Sequence, residues 1–157
     1  MQKITPFLWF NGNAEEAMDF YTSVFKNSKR GMTSRYGENM PEAKGSFMTG
    51  TFELEGQEFM VLNGGSQFSF NPSISFFVKC ATQEEIDYYW DKLSEGGSID
   101  GCGWLRDRFG VSWQIVPEMV EKMLHGGEPS KSASAMQAMM QMKKLDIAQL
   151  EAAYEKG

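Results

Sequence analysis

Two stretches of the chain repeat the same order of local signals, and this repeat constrains the fold more than any other feature. The stretches are ITPFLWFNGNAEEAMDFYTSVF and SISFFVKCATQEEIDYYWDKL. Each begins with a short aromatic run that favours a β-strand. Each then continues with apolar residues at i, i+3, i+4 and i+7, the spacing of a helix that lies on a sheet. The stripes are Ala17, Phe20, Tyr21, Val24 and Phe25, and Ile86, Tyr89, Trp90 and Leu93.

Both predicted helices begin with a similar capping signal. Asn13 is followed three residues later by Glu16, and Thr82 is followed three residues later by Glu85. In a capping box, the short polar side chain accepts a hydrogen bond from a first-turn amide while the carboxylate reaches back to the backbone. We therefore expect each helix to start with its own local cap.

Glycine-centred turns indicate that each helix is followed by a β-hairpin. LEGQEF predicts a turn at Gly56 between strands of about 46–54 and 58–62, and DRFG predicts another turn near Gly110. Aligning Gly56 with Gly110 makes Met60 and Gln114 equivalent positions. The sequence therefore predicts an α+β fold of two tandem βαβββ modules that form a curved mixed sheet.

The segment 63–73 is rich in turn-forming residues and separates the modules. We place the first module at 1–65, the second at 66–118, and a C-terminal helical extension at 119–157. In the extension, a short helix to about Leu124 is expected to break at Gly126, Gly127 and Pro129. A longer helix is expected from about Ser132, with Met136, Met139 and Met140 as its packing side.

Composition excludes several classes of function. The 157 residues carry a net charge of −6, which gives no basic surface for nucleic acid. No apolar run approaches the roughly 20 residues that span a bilayer, and the N-terminal residues lack a signal-peptide pattern. We therefore expect a cytoplasmic protein without a nucleic-acid or membrane partner. Cys80 and Cys102 predict free thiols, and with His125 as the sole histidine a Cys-His catalytic pair is not expected.

The doubled βαβββ unit resembles the vicinal oxygen chelate superfamily, which includes glyoxalase I, extradiol dioxygenases and fosfomycin- and bleomycin-resistance proteins. ITPFLWFNGNAEEAMDFYTSVF, FMVLNGG and DRFGVSWQIVP look like its PhnB-like group, often called 3-demethylubiquinone-9 3-methyltransferase. A methyl-donor site would typically need a glycine-rich turn that follows a parallel strand and opens a helix. NGGSQF and EGGSIDGCG do not have that context. The resemblance therefore implies the fold and not methyl transfer.

The resemblance also implies a cleft in which superfamily enzymes hold a divalent metal through His, Glu or Gln. The corresponding positions here are Phe7, Met60, Gln114 and either Ser75 or Phe76. One amide oxygen without imidazole or carboxylate ligands does not suit a divalent ion, and Glu58 would add a single carboxylate. We therefore expect neither a metal nor another cofactor.

The expected cleft is apolar and aromatic, and suits a small aromatic or amphipathic molecule whose carbonyl or amide is oriented by Gln114. The predicted ligand-binding residues are Phe7, Trp9, Arg35, Met60, Leu62, Phe77, Trp104 and Gln114. Two alternatives stay open. One is an enzyme of the superfamily with an unknown reaction other than methyl transfer, in which Gln114, Glu58 or a cysteine carries the chemistry. The other is a structural or regulatory module with a filled cleft. Because superfamily members commonly pair, a homodimer is expected.

Overall fold

A computed structural model describes residues 2–157 and divides the chain into two compact units, with the boundary in sequence between Ser69 and Phe70. The first unit contains β1 Phe7–Phe10, α1 Ala14–Val24, β2 Ser28–Arg35, β3 Phe47–Leu54 and β4 Gln57–Asn63. The second contains β5 Ser75–Cys80, α2 Gln83–Ser94, β6 Ser98–Gly101, β7 Trp104–Arg106, β8 Ser112–Pro117, α3 Glu118–Gly126, α4 Pro129–Met140 and α5 Ile147–Lys156. Over residues 2–157, every helix is too short or too polar to cross a bilayer.

Each unit has its own mixed four-stranded sheet. The strand orders are β1-β4-β3-β2 and β5-β8-β7-β6. In each unit the first and last strands pair in parallel, and the remaining strands pair in antiparallel hairpins. The predicted α+β fold of two βαβββ modules followed by C-terminal helices is confirmed. The mixed sheet expected from the sequence is realised as two sheets, one in each unit.

In the first unit, α1 covers one face of the sheet with stacked aromatic rings. The Tyr21 ring stacks on Phe52 at 6.2 Å between centroids, and Phe52 stacks on Phe59 at 5.3 Å. Because side chains alternate between the two faces of a strand, the residues on either side of Phe59 face away from α1. The predicted helical stripe is buried except for Phe20, which is half-buried.

In the second unit, α2 buries Ile86, Trp90 and Leu93, three of the four residues of its predicted stripe, while Tyr89 stays half-buried. The predicted β7–β8 hairpin forms around a residue that the sequence pattern did not single out. Asp107 is buried and its carboxylate accepts hydrogen bonds from the Phe109 and Val111 amides and from the Trp113 indole. These bonds hold the turn, since a buried carboxylate must find donors.

The two helices start differently. The capping box of α2 is confirmed: Thr82 Oγ1 accepts from the Glu85 amide at 3.2 Å, and Glu85 Oε1 accepts from the Ala81 amide at 3.1 Å. The capping box predicted for α1 is wrong, because Asn13 makes no side-chain cap bond.

The amides at the start of α1 are bound instead by a strand residue. Asn63, at the end of β4, accepts from the Gly12 amide at 3.1 Å and from the Ala14 amide at 2.9 Å through Oδ1. Asn63 lies beside Phe10 in the parallel register, so the sheet brings its buried carboxamide to the turn that precedes the helix.

The C-terminal helices share a core with the second sheet. Val116, Val120, Leu145 and Leu150 form one buried cluster, against which Met139 and Met142 pack. Met140, predicted to pack, is 65% exposed. The predicted start near Ser132 is also wrong: α4 begins at Pro129, because proline fits the first helical position, where no amide donor is needed.

Candidate functional site

The first sheet places four predicted ligand-binding residues together on the face opposite α1. Phe7 pairs with Met60 and Trp9 pairs with Leu62 in the parallel register of β1 and β4. Phe7 is 50% exposed, and the other three are half-buried. The Trp9 indole donates to the Gly65 carbonyl at 2.9 Å, and its ring meets the Phe68 ring edge-on at 5.0 Å. We call these four residues the first row.

The second sheet holds an equivalent row. Gln114 on β8 lies between Phe77 on β5 and Trp104 on β7. Met60 occupies the same place in the first sheet, between Phe7 on β1 and Thr51 on β3. The alignment of Gly56 with Gly110 therefore matched these positions correctly. We call Phe77, Gln114 and Trp104 the second row.

The residue equivalent to Phe7 is Phe77, and the prediction of Ser75 or Phe76 is wrong. The cause is the length of the strand-to-helix connection. Three residues separate Phe10 from the start of α1, whereas two separate Cys80 from the start of α2. Counting back the same number of residues from each helix cap therefore misses the residue of β5 that is equivalent to Phe7.

Two serines accompany the second row, and the sequence pattern indicated no partner for Gln114. The Gln114 Nε2 donates to Ser75 Oγ at 3.0 Å. Ser112, the neighbour of Ser75 across the β5–β8 register, is 1% exposed, and its hydroxyl has no hydrogen-bond partner among residues 2–157. Both lie on the face of Gln114, because residues two apart on a strand point the same way.

Arg35 lies apart from the first row. Its register partner is the buried Phe47, and its guanidinium sits over the Phe47 ring at 5.8 Å. Arg35 also pairs with Glu15 of α1 at 3.2 Å, which places it on the helix side of the sheet. There it borders a cavity of about 310 Å³ lined by Asn11, Gly12, Glu15, Arg35, Glu42, Ser46, Phe47, Asn63 and Gly65.

The donor atoms at the two rows do not fit a divalent metal ion. The first row offers a thioether and aromatic rings, with the Glu58 carboxylate two residues before Met60 and bonded to Thr5 at 3.1 Å. The second row offers the neutral oxygens of Gln114 and of the adjacent serines. Within residues 2–157, no three His, Cys, Asp or Glu side chains group in a way that could hold a metal. Neutral oxygen donors without imidazole or carboxylate compete poorly with water for such an ion.

The connection between β1 and α1 is also poorly suited to a methyl-donor cofactor. The connection of Asn11, Gly12 and Asn13 does follow a parallel strand and open a helix. Its Gly12 amide and the Ala14 amide, the groups that would face a ligand there, are already bound by Asn63.

Cys80 is not suited to nucleophilic chemistry. The thiol is buried, and burial, reinforced by the nearby carboxylates of Glu85 and Glu118, raises the pKa of Cys80 to about 12. A thiol is reactive as its thiolate, so this residue stays protonated and inert near neutral pH.

Comparison with known proteins bears on the family and the fold. Residues 2–116 match the 3-demethylubiquinone-9 3-methyltransferase family. The PhnB protein from Bacillus cereus is 46% identical over 74% of this chain and 99% of that chain, with a TM-score of 0.68. No curated protein is significantly similar in sequence.

Two more distant structures resemble the chain in fold alone. Protein PA1353 from Pseudomonas aeruginosa is 22% identical over 75% of this chain and 98% of that chain, with a TM-score of 0.64. A glyoxylase/bleomycin resistance protein/dioxygenase domain from Frankia sp. EAN1pec is 10% identical over 74% of this chain and 92% of that chain, with a TM-score of 0.50. The chain therefore belongs to the PhnB, or 3-demethylubiquinone-9 3-methyltransferase, family and has a glyoxalase-like fold.

Proposed function

We propose that the protein binds a small, flat aromatic or amphipathic molecule without a metal ion, on the sheet face that carries the row of one unit. The observation that carries the proposal is the exposure of aromatic rings on the sheet faces opposite α1 and α2. Phe7 is 50% exposed and Phe77 is 39% exposed, although both belong to regular strands. Rings left open to water beside apolar neighbours are typical of ligand sites.

The second row combines apolar surface with a directed polar group. The rings of Phe77 and Trp104 flank Gln114 on neighbouring strands. A flat ligand can cover these rings while its carbonyl or amide meets the Gln114 side chain. Such a combination gives affinity through buried apolar area and orientation through the hydrogen bond.

Methyl transfer and catalysis by Cys80 have less support. Methyl transfer, the activity in the family's name, lacks a suitable cofactor turn, because the amides of Gly12 and Ala14 are bound by Asn63. An enzyme that uses a cysteine lacks a reactive thiol at Cys80. Fold by itself does not carry function, so the proposal depends on the chemistry of the rows.

Thermal melting with a panel of bicyclic aromatic compounds, such as 2-naphthol and 2-quinolone, tests the proposal. A ligand that binds only the native state raises the melting temperature, and we expect at least one compound to do so equally with and without EDTA. Phe77→Ala and Trp104→Ala should weaken its binding by about ten-fold or more.

Ile99→Ala is the matched control. Ile99 is also an exposed apolar residue of the second sheet, but it pairs with Leu105 and lies outside the row. We expect the Ile99 variant to bind like the wild type. A panel that leaves the melting temperature unmoved, or an equal loss of binding in the Ile99 variant, would contradict the proposal.

A further inference from the structure

Ser75, Ser112 and Gln114 form a compact polar group on the second sheet, here called the serine-glutamine cluster. We propose that this cluster recognises the uncharged edge of a ligand on which one hydrogen-bond donor lies next to one acceptor, as in an aromatic lactam. The inference rests on the proposed function and specifies the ligand class of the same site.

The hydrogen bond within the cluster sets which groups remain for a ligand. Gln114 donates through Nε2 to Ser75 Oγ at 3.0 Å. The Gln114 carbonyl oxygen then has no donor among residues 2–157 and is an acceptor for a ligand N–H or O–H. Since the Ser75 oxygen accepts that bond, its own hydroxyl hydrogen remains to donate. The second Nε2 hydrogen of Gln114 is also left to donate. The cluster therefore offers the Gln114 carbonyl oxygen as an acceptor, next to the N–H donor of the same carboxamide and near the Ser75 hydroxyl.

Ser112 supplies an independent observation. Its side chain is 1% exposed, and its hydroxyl has no partner among the described residues. A buried hydroxyl without a partner costs about 1–3 kcal/mol, so native proteins nearly always satisfy such groups. Ser112 lies beside Ser75 in the register, so a ligand polar atom that displaces the side chains covering this hydroxyl would complete its hydrogen bonding.

The charges around the cluster favour a neutral ligand. Lys79 and Arg106 lie on the same face of the sheet as the cluster. Lys79 is four residues after Ser75 on β5, and Arg106 is two residues after Trp104 on β7, so strand alternation points them the same way. Lys79 Nζ pairs with Glu121 at 3.0 Å, and Arg106 Nε pairs with Asp100 at 3.0 Å. A charged ligand group would therefore lose water without gaining a free counter-charge, which is costly.

Three quinolines test the inference on the full chain by tryptophan fluorescence or NMR titration. 2-Quinolone presents a donor next to an acceptor, 2-methoxyquinoline lacks the donor, and quinoline-2-carboxylate carries a negative charge. We expect 2-quinolone to bind at least about ten-fold more tightly than the other two. Ser75→Ala and Gln114→Leu should remove that preference, whereas Ser73→Ala, at an exposed serine before β5, should preserve it.

Ser112→Ala separates recognition from a structural role. Because the hydroxyl has no partner among residues 2–157, its removal should not lower the melting temperature, yet it should weaken 2-quinolone binding. Equal affinity for the three quinolines would overturn the donor–acceptor assignment and leave aromatic binding in place. Failure of all three, together with the naphthol panel, would overturn the proposed function as well.

Discussion

At the scale of single residues, the two modules have the same geometry but different chemistry. Met60 and Gln114 occupy equivalent places between neighbouring strands, and each has a phenylalanine beside it on the parallel strand. The thioether makes the first row apolar, whereas the carboxamide and its serine partner make the second row polar at its centre. The centre of the row can therefore direct a carboxamide hydrogen bond at a ligand in the second unit and not in the first.

Cys80 shows how burial changes a residue that the sequence presents only as a free thiol. Its side chain is fully buried at the end of β5, and its pKa is raised from 9.0 to about 12, chiefly by burial. A raised pKa means that the folded protein keeps the thiol proton in a pH range where the unfolded chain has released it. Folding is therefore linked to protonation of this residue.

The linkage predicts an alkaline loss of stability. The contribution of Cys80 is complete below about pH 9 and decreases as the pH rises toward about 12, because the unfolded state then binds fewer protons. One group can lower the free energy of unfolding by at most about 1.4 kcal/mol for each pH unit. Denaturant titrations at several alkaline pH values should show a shallower decline for Cys80→Ala than for the wild type.

Cys102→Ala, at the partly exposed thiol, is the comparison variant for that measurement. An unchanged alkaline slope in Cys80→Ala would show that this thiol is not linked to folding.

At the scale of elements, the two equivalent helices are capped by different means. The start of α2 is satisfied locally by Thr82 and Glu85, whereas the start of α1 depends on Asn63 from a strand 49 residues away in sequence from Ala14. The first helix can therefore begin correctly only when β4 is in place beside β1. The formation of α1 is therefore coupled to its sheet more strongly than the formation of α2 is coupled to the sheet of the second unit.

Alanine substitutions at the three capping positions should separate these mechanisms. Asn63→Ala removes the acceptor for two amides and should lower the free energy of unfolding by about 2–3 kcal/mol. Thr82→Ala should cost about 1 kcal/mol, and Asn13→Ala should cost little because its side chain makes no cap bond. Chemical denaturation measures all three, and an Asn13→Ala loss as large as that of Asn63→Ala would refute the assignment.

At the scale of the whole molecule, each unit has its own sheet and core, and the C-terminal helices belong to the second. The connection between α4 and α5 is held by backbone bonds from Cys102 and Gly103 to the carbonyls of Met142 and Lys143. Gln83 holds it as well, because its side chain bonds both the Leu145 carbonyl and the Ile147 amide. The extension is therefore a structural part of the second unit.

Two leucine-to-alanine substitutions test whether the C-terminal helices share the core of the second unit. Leu145 is fully buried in the cluster with Val116, whereas Leu124 on α3 is 54% exposed. Leu145→Ala should lower the free energy of unfolding by about 2–4 kcal/mol through lost burial and a residual cavity. Leu124→Ala should change it by less than about 0.5 kcal/mol. Similar losses in the two variants would mean that the C-terminal helices do not share the core of the second unit.

Homodimer formation and a cytoplasmic location remain predictions from sequence and family resemblance. The ligand-binding role remains a proposal, which the quinoline and naphthol titrations test directly.

The sequence by itself determined the repeat, the strand-helix order, the hairpins at Gly56 and Gly110, and the equivalence of Met60 with Gln114. These features follow from alternation, helical spacing and turn chemistry, which depend on residues close in the chain. Only the tertiary structure decided that Asn63 caps α1, that Ser75 binds Gln114, and that the Ser112 hydroxyl is buried with no partner in the described part of the chain. Those outcomes depend on strand register and connection length, because residues distant in sequence meet only when the sheet has formed.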